Sequence, residues 1–357
     1  MLDVLYVGPY RQNDEWGYTS KALATLLSSQ EDVNLVLRPV WFASQGEAQD
    51  IENIEQYENG ELSTKDILIQ HGLPSFINYN GDFKKNIAVL AVDGRIDNTG
   101  WLYNLNQMDQ IVVCSESEKK LLEESGVESS KIAAFPFPPF FLTASCHILD
   151  LNLSGTSFYT VGSLDTKSGL LETLTAFLST FNIGQAVNLI VACPNAEQVQ
   201  AKVKELKDSL GIYKQGSYYP NIMVINSDKL EVVNYLHHAA DFFIDVSYNA
   251  IPSQNLLRSI ARGSIPIVPD TVNLFDDNPF AVGTYEEVCV YPDRPVANLW
   301  CGESTWSKPI MNSLREKMIE ATLQGESVEI AMQRLLSFKS RLFTGHNAAV
   351  KEILCLR

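Results

Sequence analysis

Cysteine is scarce and scattered in this chain. Six residues in 357, at Cys114, Cys146, Cys193, Cys289, Cys301 and Cys355, include no CxxC pair. That excludes a disulfide scaffold and leaves no zinc-ligand spacing. A reducing, cytoplasmic setting is the simplest expectation. Histidine is equally thin. His71, His147, His237, His238 and His346 form no HExxH or other metal-spaced cluster, so no metal ligand is expected. His237 and His238 read as residues of a helix surface or core edge. The GxSxG elbow and the GxxxxGK[ST] loop are both missing, which removes two common hydrolase and nucleotide signatures. No apolar run reaches the ~18 residues of a membrane-spanning helix. No basic stretch precedes the apolar start at Leu2, so a secretory leader is not expected. Positive charge is short as well: 27 Lys and Arg stand against 43 Asp and Glu, a net −16. Such a field repels polyanions, so nucleic acid and anionic membranes are not expected partners.

What is present is ordinary globular material, 45% hydrophobic and 20% charged. Its length suits two domains. Short runs rich in Val, Ile and Leu alternate with helical spacing along the chain. The runs Asp3–Val7, Val33–Pro39, Ile67–His71, Ile87–Val92 and Gln110–Cys114 lack strict alternation, as strands buried on both faces do. Tyr18–Leu27 and Glu118–Ser125 have helical periodicity, the second with Ser117 placed to cap it. The acid-rich stretch from Glu47 to Asp66 reads as a solvated loop or exposed helix.

The pattern pauses at Ala134-Phe-Pro-Phe-Pro-Pro139, which suits neither a helix nor a central strand. It restarts with strands at Ser157–Gly162, Val187–Ala192, Asn221–Asn226, Phe242–Val246, Ile265–Val268 and Val288–Tyr291. Helices fall between them at Leu170–Phe181, Glu197–Leu210, Leu230–His238 and Gln254–Arg262. Pro309 suits the first turn of a terminal helical segment. The chain therefore reads as α/β, with two Rossmann-like doubly wound parallel-sheet domains facing a cleft. The first spans 1–150, the second 151–335, and a helical tail 336–357.

Four strand-to-helix junctions carry polar or flexible groups. Gly8 to Tyr18 has glycines at the strand end and at Gly17, suited to a phosphate contact or to an ordinary turn. Asp93 and Arg95 follow a strand, where they polarise a hydroxyl, hold an anion or simply pair with each other. Gly162 to Gly169 places Lys167 among small residues at a helix start, either for a diphosphate or as an exposed turn lysine. Ser247, Asn249, Ser253, Gln254 and Asn255 present hydroxyls and amides suited to sugar or ribose hydroxyls, although several will cap the helix.

In order, these segments resemble the GT-B glycosyltransferases of the family 4 type, which move a sugar from a nucleotide-sugar to an acceptor. The early turn ending in Gly17-Tyr18 is similar to the family's glycine loop near the donor phosphates. The set Trp101, Asn106, Asp109 and Ser115, then Ser125-Gly126-Val127 and Lys131-Ile132, matches its middle stretch. Tyr159, Gly162, Lys167 and Gly169, followed by Ala176-Phe177, look like the segment whose lysine contacts the donor diphosphate. Asp241 to Ser247 and Ala261 to Pro266 fit the donor-site strand, loop and helix.

The resemblance implies an N-terminal acceptor domain, a C-terminal donor domain and a last helix crossing back to the first. It also implies a UDP- or GDP-linked sugar as donor and no resident cofactor. The acceptor is a glycan, lipid, protein or small molecule. Asp93 is the matching catalytic acid, and Gly17, Gly162, Lys167, Ser247, Asn249, Ser253, Gln254 and Arg258 are the donor-side residues. The family's E-x7-E pair is replaced by Ala250 and Arg258, and an arginine beside Gly162 by Ser163. A metal-independent transferase is the expectation. A catalytically silent binding or assembly subunit is the alternative.

Overall fold

The computed structural model describes residues 1–42, 51–92, 99–139, 153–165, 167–211, 218–227, 230–248, 251–272, 278–288 and 305–354, with Ile96, Leu151 and Leu274. The first half contains β1 (Leu2–Gly8), α1 (Glu15–Ser28), β2 (Val33–Pro39), β3 (Ile67–Gly72), β4 (Lys85–Leu90), α2 (Thr99–Gln107), β5 (Gln110–Val113), α3 (Glu116–Glu124) and β6 (Ile132–Ala134). The second runs β7 (Thr156–Val161), α4 (Leu170–Thr180), β8 (Val187–Cys193), α5 (Ala196–Leu210), β9 (Asn221–Asn226), α6 (Leu230–Ala239), β10 (Phe242–Ile244), α7 (Gln254–Arg262), β11 (Ile265–Pro269) and β12 (Ala281–Val282). A hairpin of β13 (Thr284–Val288) and β14 (Thr305–Pro309) then leads to α8 (Met311–Thr322) and α9 (Glu326–Leu354).

The first sheet has the order β2-β1-β3-β4-β5-β6 and the second β12-β11-β10-β7-β8-β9, each with six strands. Every neighbouring pair in both is parallel. Burial explains the missing alternation: all seven residues of β8 are buried, while β9, at the sheet edge, is only half covered. The apolar core runs through both sheets, with a second cluster where Leu105 of α2 and Leu122 of α3 cover β4 and β5. Strand order reverses between β1 and β3 in one sheet and between β7 and β10 in the other. Open α/β sheets hold ligands at such points, beyond the carboxyl ends of the strands. The last helix packs on α1 as well as α7, so it does cross back to the first sheet.

Three local readings are corrected. The cap of α3 is Ser115, whose hydroxyl accepts from Glu118 N at 3.2 Å. Ser117 lies inside the helix and donates to Thr271 O at 2.6 Å. Pro309 ends β14 instead of starting a helix, since Ile310 precedes α8 in extended conformation. His237 is fully buried, its Nδ1 2.8 Å from the Tyr159 hydroxyl, whereas His238 is exposed. The expected strand beyond Val288 lies outside the described residues, as does most of the stretch between 140 and 152. No helix among the described residues is long and apolar enough to cross a membrane.

Candidate functional site

At the second sheet's switch point, the loops after β7 and β10 are joined directly. Tyr248 N donates to Lys167 O at 2.9 Å. Asp165 shapes the first loop, accepting from Lys167 N at 2.9 Å and Ser168 N at 2.8 Å. Gly169, at φ 66°, opens α4; a Cβ there would lie 2.2 Å from Val246 O. Only glycine lets the two loops approach this closely. The Lys167 ammonium stands 5.2 Å from the centre of the Trp306 ring on β14. That ring meets Tyr248 at 5.9 Å, and Tyr248 donates its hydroxyl to Glu172. The hairpin thus braces the lysine from one side, a favourable cation–ring arrangement.

The start of α7 is built from the other residues expected here. Ser253 caps the helix, accepting from Leu256 N at 3.0 Å and donating to Asp245 Oδ2 at 2.7 Å. Ser247 N reaches the other oxygen of Asp245 at 3.3 Å. Gln254 is buried and donates through Nε2 to Pro138 O at 3.2 Å. Arg258 is 1% exposed, its Nε bonded to Gln254 O at 3.0 Å and its Nη2 to Asn255 Oδ1 at 3.0 Å. Burial pulls its pKa down, while Glu15 and nearby tyrosines push it up. Gly162 extends β7 by bonding to Ala192 O at 3.0 Å. Asn249, Ala250, Asp93 and Arg95 lie outside the described residues.

The first sheet meets this site through α1. Gly17 is the third helical residue rather than part of the turn, and its N donates to the capping Asp14 at 2.9 Å. The neighbouring Glu15 reaches across to α7. Its Oε2 accepts from Gln254 N at 2.7 Å, and its Oε1 from Asn255 Nδ2 at 3.1 Å and Arg258 Nη2 at 3.4 Å. The structure therefore gathers Ser247, Ser253, Gln254 and Arg258 around the start of α7, faced by the first turn of α1 that holds Gly17. Lys167 lies on the adjoining loop after β7, with Gly162 at that strand's end.

Two buried groups at the first sheet's strand ends escaped sequence reading. Glu118 accepts from Val92 N at 2.9 Å and Cys114 N at 3.0 Å, pinning the ends of β4 and β5 immediately before Asp93. Burial raises its pKa to about 8, against the pull of those bonds. The Ser115-x-x-Glu118 spacing is a capping-box signal that pointed to it. His71 ends β3 with Nδ1 2.7 Å from the Tyr6 hydroxyl, and burial lowers its pKa to about 3. The Trp16 and Phe137 rings lie 6.1 and 6.2 Å from it. No motif marked His71, because its neighbours come from distant turns.

No protein-family model matches the chain, and no curated protein sequence does. Solved structures match along nearly its whole length. A glycosyltransferase from Rickettsia africae is 13% identical with a TM-score of 0.59, over 99% of this chain and 98% of that one. An α,α-trehalose-phosphate synthase (UDP-forming) from Burkholderia xenovorans, in complex with glucose-6-phosphate, is 10% identical with a TM-score of 0.63, over 99% of both. HepE from Anabaena, in complex with UDP and glucose, is 11% identical with a TM-score of 0.53, over 98% of this chain and 100% of that one. The two parallel six-stranded sheets with flanking helices are the GT-B fold.

Proposed function

We propose that this chain transfers a sugar from a nucleotide-sugar donor to an acceptor, as a GT-B enzyme of the family 4 type. The observation that carries the reading is the joined pair of loops at the β7–β10 switch point, facing α1 of the other sheet. In this reading residues 1–150 bind acceptor, 151–335 bind donor and 336–357 return to the first half. Lys167 faces the donor diphosphate, helped by the start of α4 and by Gly17 across the cleft. Ser247, Asn249 and Gln254 hydrogen-bond donor hydroxyls, with Ser253 shaping their loop and Gly162 letting the diphosphate approach. Asp93, the matching acid of the resemblance, acts on the acceptor hydroxyl. Charge on the departing nucleoside diphosphate is balanced by Lys167, Arg258 and helix starts, without a metal. The HepE and trehalose-phosphate synthase complexes support a UDP-linked donor and a sugar acceptor by likeness of fold alone.

A second reading, a silent binding subunit, is favoured by Arg258, a buried cation where the resemblance expects an acid. Incubation with a panel of UDP- and GDP-sugars in EDTA, followed by assay of released nucleoside diphosphate, decides between them. Release from at least one donor is expected. A strict Mg²⁺ or Mn²⁺ requirement removes the metal-independent part; no release from any donor favours the silent subunit.

A further inference from the structure

Glu15 begins α1, yet its carboxylate sits on the first turn of α7, a nine-residue helix of the opposite sheet. The contact has three parts: Gln254 N at 2.7 Å, Asn255 Nδ2 at 3.1 Å and Arg258 Nη2 at 3.4 Å. A helix start concentrates partial positive charge, and a guanidinium adds a full one. The arrangement is an anion position filled by the chain's own anion. The guanidinium also has capacity left over. Its Nη1 is buried with no hydrogen-bond partner among the described residues, although Nε and Nη2 are both engaged. Tyr18, whose ring lies 5.5 Å from it, fixes the group in place. A buried donor left unmet is costly, so a site holding one is built for more acceptor atoms than a single carboxylate supplies. A phosphoryl group has the additional oxygens and charge.

The Glu15 side chain is 45% exposed, against 1% for Arg258, so the carboxylate keeps a solvent-facing side towards which it can be displaced. Desolvation already disfavours its ionised form, with smaller like-charge repulsion from Asp245 and Asp14, so a phosphate arriving beside it competes with it for Arg258 and the helix start.

We propose that Glu15 is a built-in competitor for the phosphoryl position at the start of α7, holding the two sheets together until a diphosphate displaces it. The proposal rests on the reading of this cleft as a nucleotide-sugar site. It makes the ligand-free state self-occluded: apparent diphosphate affinity is the intrinsic affinity reduced by the fraction of molecules in which Glu15 has let go.

The test uses inorganic pyrophosphate, so it is independent of any sugar transfer. Calorimetric titration of the full chain at fixed ionic strength compares wild type, Glu15→Gln, Arg258→Lys and the double variant. Glu15→Gln should bind pyrophosphate about tenfold more tightly than wild type. Arg258→Lys keeps the charge but loses the planar fork, and should weaken binding about tenfold in the Glu15→Gln background. Thermal melts of each variant confirm that the chains compared are folded. Equal or weaker binding by Glu15→Gln overturns the competitor, and so does an unchanged affinity on adding Arg258→Lys. Failure of the nucleotide-sugar assay alone would sink the transferase reading and leave this result standing.

Discussion

Glu118 and His71 are buried ionisable side chains whose titrations oppose each other. The Glu118 carboxyl is raised to about 8, so between the usual glutamate range and pH 8 the folded chain holds a proton that the unfolded chain has released. Stability at this site therefore falls as pH rises through that window, with uptake of up to ~1 proton on folding. His71, lowered to about 3, stays neutral while an unfolded histidine protonates below about 6.5. Its contribution is lost as pH falls from there. Urea unfolding from pH 4 to 8.5 should show stability falling above about 6.5, where Glu118 acts alone. Between about 4.5 and 6.5 the two effects oppose and leave little net slope. Glu118→Gln should flatten the alkaline limb and unmask the His71 slope below about 6.5. Lys167→Ala, by contrast, tests the site. Loss of a charge-assisted contact of roughly 1.5–3 kcal/mol should lower UDP-sugar affinity ten- to a hundred-fold. Loss of its contact with Trp306 should cost stability only about 0.5–1 kcal/mol. Equal affinity in calorimetry would remove the lysine from the donor site. The place of Lys167 at a strand-to-helix junction was legible from the flanking strand and glycine. The Glu15–Arg258 pairing joins residues 243 apart, and no local pattern encodes such a partner.

Strands were the readable elements. Val33–Pro39, Asn221–Asn226 and the helix Gln254–Arg262 have the bounds that their apolar runs and caps indicate. Short or weakly patterned elements did not show. β6 has three residues, and α2 reads TGWLYNLNQ, with Gly and two Asn depressing helix propensity. Packing of Leu105 against the strands, absent from local spacing, makes α2 a helix. At Pro309 the same residue type suits a helix start and a strand end, and the β13 partner decided it. The junction opening α4 supplies a prediction at this scale. Gly169→Ala adds a Cβ 2.2 Å from Val246 O at a left-handed backbone position. The two loops must separate, at a cost of about 2 kcal/mol or more. Chemical denaturation should show that loss together with weakened donor binding. Retention of both would mean that the loops need not touch.

At the scale of the whole molecule, polar contacts among the described residues tie the two sheets. Ser117 donates to Thr271 O, Gln254 to Pro138 O, and Glu15 accepts from the α7 start; α9 straps the outside, packing on α1 and α7. Two-domain cleft proteins of this build move about such connections. Of these ties among the described residues, the Glu15 contact alone joins a full charge to a full charge. Its removal should therefore loosen the cleft more than loss of either neutral bond. Small-angle scattering of Glu15→Ala without ligand should give a larger radius of gyration than wild type, whereas Ser117→Ala should leave it unchanged. Added UDP should alter the wild-type curve by releasing Glu15 and then drawing the loops about the ligand, and should alter the Glu15→Ala curve in the closing sense only. Superimposable curves for wild type and Glu15→Ala would show that the α9 strap and the two neutral bonds hold the sheets unaided. In that case the charge at the start of α7 serves ligand binding and not closure.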